Sequence, residues 1–163
     1  MLLECRKGFT LMEVVVVLAI VAIVAAFSIP ALTTWRTNAL YQEEARVFLG
    51  AMFKAKSLAV SSNLQSQLEF DIGNNRYRLT QGDRAENSNN FDTVITDWVD
   101  VPAAIALRST SACNSTADLD LQFNPNGTSK VGYICVLDPQ DLTTAKYKVG
   151  VASDVVGRPT IEK

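Results

Sequence analysis

The residue with the most demanding chemistry is Glu13, a carboxylate five places into an apolar run. From Phe9 to Ile29 the other clearly polar side chains are Thr10 and Ser28. A run of about twenty such residues can cross the hydrocarbon core of a bilayer as a helix. Arg6 and Lys7 in front of it belong on the cytoplasmic side. An ionised Glu in lipid costs about 2.5–3.5 kcal/mol on insertion scales, so such a carboxylate is expected to be functional and to have a partner. The nearest conceivable cation is an amino terminus created by cleavage between Gly8 and Phe9. Composition alone leaves three other readings open: a signal peptide cut at Ala26-Phe27-Ser28, an uncleaved signal anchor, and a buried core helix. Glu13 counts against the first two.

The rest of the chain offers less. No histidine occurs among the 163 residues, which excludes a histidine base, a triad or a histidine metal site. No nucleophile is set beside a base, so an enzyme is not expected, and neither is a cofactor or metal. Asp118 and Asp120 lie two apart on a strand, and without further ligands they read as a solvated face. Arg76 and Arg78 share one strand face, and Lys146 and Lys148 another. If those faces adjoin, they form a small basic patch able to contact phosphates. The net charge of −2 gives no support to a dedicated nucleic-acid binder.

Cys5 precedes the apolar run, whereas Cys113 and Cys135 lie in the exported part. An even pair in an oxidising compartment reads as a disulfide. Its closed loop of about twenty residues is worth roughly 3 kcal/mol in the loop-entropy model. Two free buried thiols are the alternative.

The elements that must position these groups follow from periodicity. Pro30 ends the apolar run, and a kink or local melting is expected there. Beyond it, Tyr41, Ala45, Phe48, Met52, Ala55 and Ala59 recur every three or four residues, which predicts an amphipathic helix with one stripe packed on a core. After Asn63 the pattern alternates. Leu64, Ser66, Leu68, Phe70 and Ile72 take one face, and Gly73-Asn74-Asn75 turns the chain into a hairpin partner over 76–80. A polar surface loop covers 81–90. Strands are predicted over 94–99, 105–108, 119–123, 131–137 and 147–151, with 155–161 closing the sheet. About 100 residues beyond the helix suffice for one compact domain.

The segment Lys7-Gly8-Phe9-Thr10-Leu11-Met12-Glu13 resembles the leader of type IV pilins and type II secretion pseudopilins, with Met12 in place of the usual Ile or Leu. The resemblance implies a prepilin peptidase that cuts after Gly8 and N-methylates Phe9. Glu13, fifth in the mature chain, would then pair with the amine of a neighbouring subunit. Pro30 also matches the place where pilin helices carry a proline. Leu121-Gln122-Phe123-Asn124-Pro125-Asn126-Gly127 and the Val156-Gly157-Arg158 ending are similar to the GspH/FimT family of minor pilins and pseudopilins. This implies an α+β fold: a long N-terminal helix, transmembrane half plus amphipathic half, packed on an antiparallel β-rich head. The expected division is a leader at 1–8, a transmembrane and assembly helix at 9–30, the head's amphipathic helix at 31–63, and a periplasmic head at 64–163. The implied partners are other pilins in a helical filament, the prepilin peptidase, an inner-membrane assembly platform and membrane lipid. The implied role is a structural subunit near the tip of a secretion pseudopilus or type IV pilus. The alternative is a DNA-binding minor pilin using Arg76, Arg78, Lys146, Lys148 and Arg158. Some FimT-like pilins bind DNA through Gly-Arg-x-Arg, but here Gly157-Arg158 is followed by Pro159-Thr160.

Overall fold

The computed structural model describes residues 8–153 and 157–163, apart from the side chains of residues 27–31 and 34. The chain divides into two compact units, Met1–Ala39 and Leu40–Lys163. One helix, α1 (Leu11–Ser62, 52 residues), contributes to both. Its start is written in Thr10-Leu11-Met12-Glu13, the Thr-x-x-Glu pattern of a capping box. The Glu13 N–H donates to Thr10 Oγ1 at 3.2 Å, satisfying one of the orphan donors of the first turn. At the other end Asn63 takes φ 53°, the left-handed conformation that terminates helices. Ser62 Oγ donates back to the Leu58 carbonyl at 2.7 Å.

In the second unit α1 packs through the stripe that its sequence spacing predicts. Tyr41, Ala45, Phe48, Met52, Ala55 and Ala59 are all buried. Eight strands follow: β1 (Ser66–Asp71), β2 (Arg76–Gln81), β3 (Thr93–Asp100), β4 (Ala106–Ser109), β5 (Leu119–Phe123), β6 (Gly132–Asp138), β7 (Asp141–Val151) and β8 (Pro159–Glu162). They form two antiparallel four-stranded sheets, ordered β3-β2-β1-β5 and β4-β6-β7-β8. Leu68, Phe70, Leu79, Leu121 and Phe123 come from the first sheet, and Leu107, Ile134, Val136, Val149 and Val151 from the second. All join the α1 stripe in one core. Phe48 sits at its centre, edge-on to Phe70 and Tyr77 with ring centroids 5.3 and 5.5 Å apart. Such pairs add about 0.5–1.5 kcal/mol beyond area burial. Ser66, the one polar residue on the core face of β1, donates its hydroxyl to the Ala55 carbonyl of α1 at 2.7 Å.

Two segments differ from the pattern reading. β7 begins at Asp141, six residues before the predicted strand, because Ala145 and Asp141 pair with Leu137 and Asp138 of β6 across register shifts. A bulge lets a strand continue where simple alternation fails. The polar stretch predicted as a loop at 81–90 begins with Gln81, the last residue of β2, and has no strand beyond it, yet it is anchored. Ser88 is buried, its N–H donates to Gln65 Oε1 at 3.0 Å, and its hydroxyl donates to Asp83 Oδ1 at 2.6 Å. Of the closing segment predicted at 155–161, residues 155–156 lie outside the described residues, and β8 starts at Pro159.

Candidate functional site

The residues of the predicted processing and assembly site lie in the first unit. Gly8 is exposed, with open space where a Cβ would stand, and the Phe9 side chain is 82% exposed. The Gly8–Phe9 peptide bond sits just ahead of α1. Glu13 is exposed in the first turn of α1, its N–H already tied to Thr10. Behind it, Val14, Val15, Val16, Val17, Leu18, Ile20, Val21, Ile23 and Val24 are all 46–62% exposed. Consecutive helical residues cover every face of the helix, so no face is left for water. Cys5, Arg6 and Lys7 lie outside the described residues.

Among the described residues, no helix is long and apolar enough to cross a membrane. The apolar stretch read from the sequence, Phe9 to Ile29, includes side chains 27–29 that lie outside them. At position 30 the helical backbone is unbroken, although local melting is one of the two outcomes expected there. Proline's fixed φ is compatible with the α-helix.

Cys113 and Cys135 form a disulfide with Cα atoms 5.6 Å apart, at a sequence separation of 22. Cys113 has φ 57° in the turn after β4, while Cys135 is fully buried in the middle of β6. The bond thus pins an exposed loop to a core strand.

The basic residues do not make one patch. Arg76 and Arg78 are on β2 of the first sheet, and Lys146 and Lys148 are on β7 of the second. Each also faces a carboxylate: Arg76 Asp71 at 2.9 Å, Arg78 Glu69 at 2.7 Å, Lys146 Asp141 at 3.9 Å, and Lys148 Glu162 at 2.6 Å. Both guanidiniums further stack on Trp98 of β3, at 4.3 and 4.6 Å from its ring centroid. Arg158 is exposed beside Gly157. Gly157 has φ 53°, and an added Cβ would collide with the Gly127 carbonyl, so the turn after β5 clasps the segment entering β8.

Hydrogen bonds from the Asn74 side chain and backbone, and then the Arg76 guanidinium, hold Asp71 below the usual carboxylate range. The hydrogen bond to Glu162 raises Lys148. Burial, then the neighbouring Glu69 and Asp118, push Asp120 up. Asp118 is spent accepting the Ile72 N–H at 2.9 Å. Among the described residues no group of three acidic or cysteine side chains could hold a metal ion. Sequence reasoning missed the role of Thr10 as helix cap, although Thr-x-x-Glu signals it. It also missed the Arg76–Trp98–Arg78 stack, which depends on strand pairing that no local pattern encodes.

The model of the prokaryotic N-terminal methylation motif matches residues 5–29. A sequence search of curated proteins gives no match. One crystal structure of the minor pseudopilin EpsH from the type II secretion system of Vibrio cholerae aligns with a TM-score of 0.58 at 12% identity, over 76% of this chain and 94% of that one. A second EpsH structure gives 0.51 at 13% identity, over 74% and 93%. The type IV minor pilin FimU of Pseudomonas aeruginosa gives 0.55 at 15% identity, over 75% and 87%. Residues 5–29 thus carry the N-terminal methylation motif, and the head has the fold of minor pseudopilins and type IV minor pilins.

Proposed function

We propose that the chain is a structural minor pilin or pseudopilin subunit of a helical filament. The observation that carries this reading is the first unit. A helix with apolar side chains exposed all round and a single carboxylate stands directly behind the cleavage dipeptide of a matched methylation motif. On this reading a prepilin peptidase cuts between Gly8 and Phe9 and N-methylates Phe9. Residues 9–30 then lie in the inner membrane, with the head in the periplasm. In the membrane, lipid covers the apolar side chains. In the filament, neighbouring helices do so by van der Waals packing, because lipid tails supply no hydrophobic drive between helices. Glu13 pairs with the new amino group of an adjacent subunit, since two charges that are each costly in lipid become tolerable together. Pro30, which lacks an N–H, gives the assembly helix a place to bend when it leaves lipid for the filament. Assembly on an inner-membrane platform, near the filament tip, would support protein secretion or pilus biogenesis.

The test is incorporation of Glu13→Gln into filaments in the native host. The reading expects a head with its disulfide and thermal stability unchanged and filament incorporation reduced at least about tenfold, roughly 1.4 kcal/mol. Unchanged incorporation would overturn it.

A further inference from the structure

A cavity of about 520 Å³ opens in the head between the β1–β2 turn, the end of β3 and β4. Ile72, Val101, Ile105 and Leu107 line it and are all buried, so its floor is apolar. An apolar cavity with a few convergent polar groups is the usual form of a small-molecule site. Here three polar side chains line it, and the protein leaves each of them unsatisfied.

The first is Asn75. Its amide nitrogen donates to the Val101 and Ile105 carbonyls at 3.3 and 3.1 Å, which fixes the amide and leaves Oδ1 a buried acceptor without a partner. Native structures rarely leave such an atom unanswered. The second is Arg108. Five cations sit half-buried on the strands of the head: Arg76, Arg78, Arg108, Lys146 and Lys148. Four of them face a carboxylate, but among the described residues Arg108 has no ion pair. Its guanidinium donates to the Leu107 carbonyl at 2.9 Å, and the rest of a five-donor fork stays open. The third is Asp100, exposed at the end of β3, which among the described residues also has no ion pair.

Each group restricts the ligand. The floor takes an apolar body, and the Arg108 fork matches the two oxygens of a carboxylate. A plain carboxylate would add a second negative charge to a cavity that already holds Asp100. A plain amine would leave Arg108 unanswered. A molecule with both charges answers both, and its ammonium brings N–H donors for Asn75 Oδ1, directly or through one water. We propose that this cavity binds an apolar α-amino acid or a short apolar peptide as a zwitterion. The carboxylate lies on Arg108, the ammonium lies toward Asp100 and Asn75, and the side chain rests on the floor of Ile72, Val101, Ile105 and Leu107. The site goes beyond the filament reading and does not rest on it, since none of its residues lies in the first unit.

Calorimetric titration of the full chain in detergent micelles tests this with four probes. They are L-leucine, the dipeptide leucyl-leucine, 4-methylpentanoate, which is leucine without its ammonium, and 3-methylbutylamine, which is leucine without its carboxylate. Leucine or the dipeptide should bind saturably, and each one-charge analogue should bind at least about tenfold more weakly. Tighter binding of the dipeptide would make a peptide the natural source, and tighter binding of leucine a free amino acid. Arg108→Gln and Asp100→Asn should each weaken the zwitterion at least about tenfold, with thermal unfolding confirming the fold. The Arg108→Gln chain should also bind leucine no better than 3-methylbutylamine, a loss of discrimination that a general loosening of the head would not produce. Arg158→Gln, at an exposed cation outside the cavity, should change nothing. If a variant fails to fold, the analogue series on the unsubstituted chain decides alone. No saturable binding of either zwitterion, an analogue that binds as tightly as leucine, or an affinity indifferent to both substitutions would overturn the proposal. None of these outcomes bears on the filament reading, which Glu13→Gln tests.

Discussion

The first unit and the head use the same residue types to opposite ends. In both, α1 is rich in Val, Leu, Ile, Phe and Ala. In the head those residues fall on one stripe, from Tyr41 to Ala59, and disappear against two sheets. From Phe9 to Val24 they occur on every face, and the large ones are all exposed. A stripe is closed by the chain's own sheets. A helix apolar all round can be closed only by lipid or by other chains. The difference separates what stabilises the fold from what drives assembly.

Phe48→Ala should break the head side of this comparison most strongly. The residue is fully buried between two aromatic rings, and its loss should cost about 3–5 kcal/mol in denaturant unfolding of the head. Val17→Ala in the first unit should leave that unfolding free energy within about 0.5 kcal/mol.

Next in size is the disulfide. Cys113→Ser should lower head stability by roughly 3 kcal/mol, as expected for a loop closed over 22 residues, and make reducing agent irrelevant to the unfolding midpoint. Membrane association should not change.

Glu44→Gln gives a smaller effect whose sign depends on pH. Burial, then the neighbouring Glu43, raise the Glu44 carboxyl above its ordinary value. The folded head therefore holds this proton more tightly than the unfolded chain. Its stabilising contribution is present below the ordinary Glu range and is lost as pH rises through the folded value. The amide should thus raise the melting temperature of the head at neutral pH, with the advantage vanishing below the ordinary Glu range.

The smallest expected effect is on DNA. A mobility shift of the full chain at low salt should show no binding, because Arg76, Arg78, Lys146 and Lys148 are split between two sheets and each already faces a carboxylate. A shift abolished by Arg158→Ala would instead point to the exposed Arg158.

The fold was legible where one physical signal dominated. The i, i+3, i+4 recurrence from Tyr41 to Ala59 marks the buried stripe residue by residue, and strict alternation marks β1 and β2. The methylation motif was legible because Gly8, Phe9, Thr10 and Glu13 stand in fixed register. What escaped depends on long-range pairing. The start of β7 rests on a bulge against β6, the anchoring of Ser88 on Gln65 twenty-three residues away, and the separation of the two basic faces on which strands share a sheet.

The most direct measurement is the intact mass and N-terminal sequence of the protein from membranes, with and without prepilin peptidase. The account predicts a 155-residue chain, residues 9–163, starting at N-methylated Phe9 and lacking Cys5. It also predicts two hydrogens fewer under non-reducing conditions, from the Cys113–Cys135 bond. A chain beginning after Ser28, or an uncut precursor in the presence of the peptidase, would contradict it.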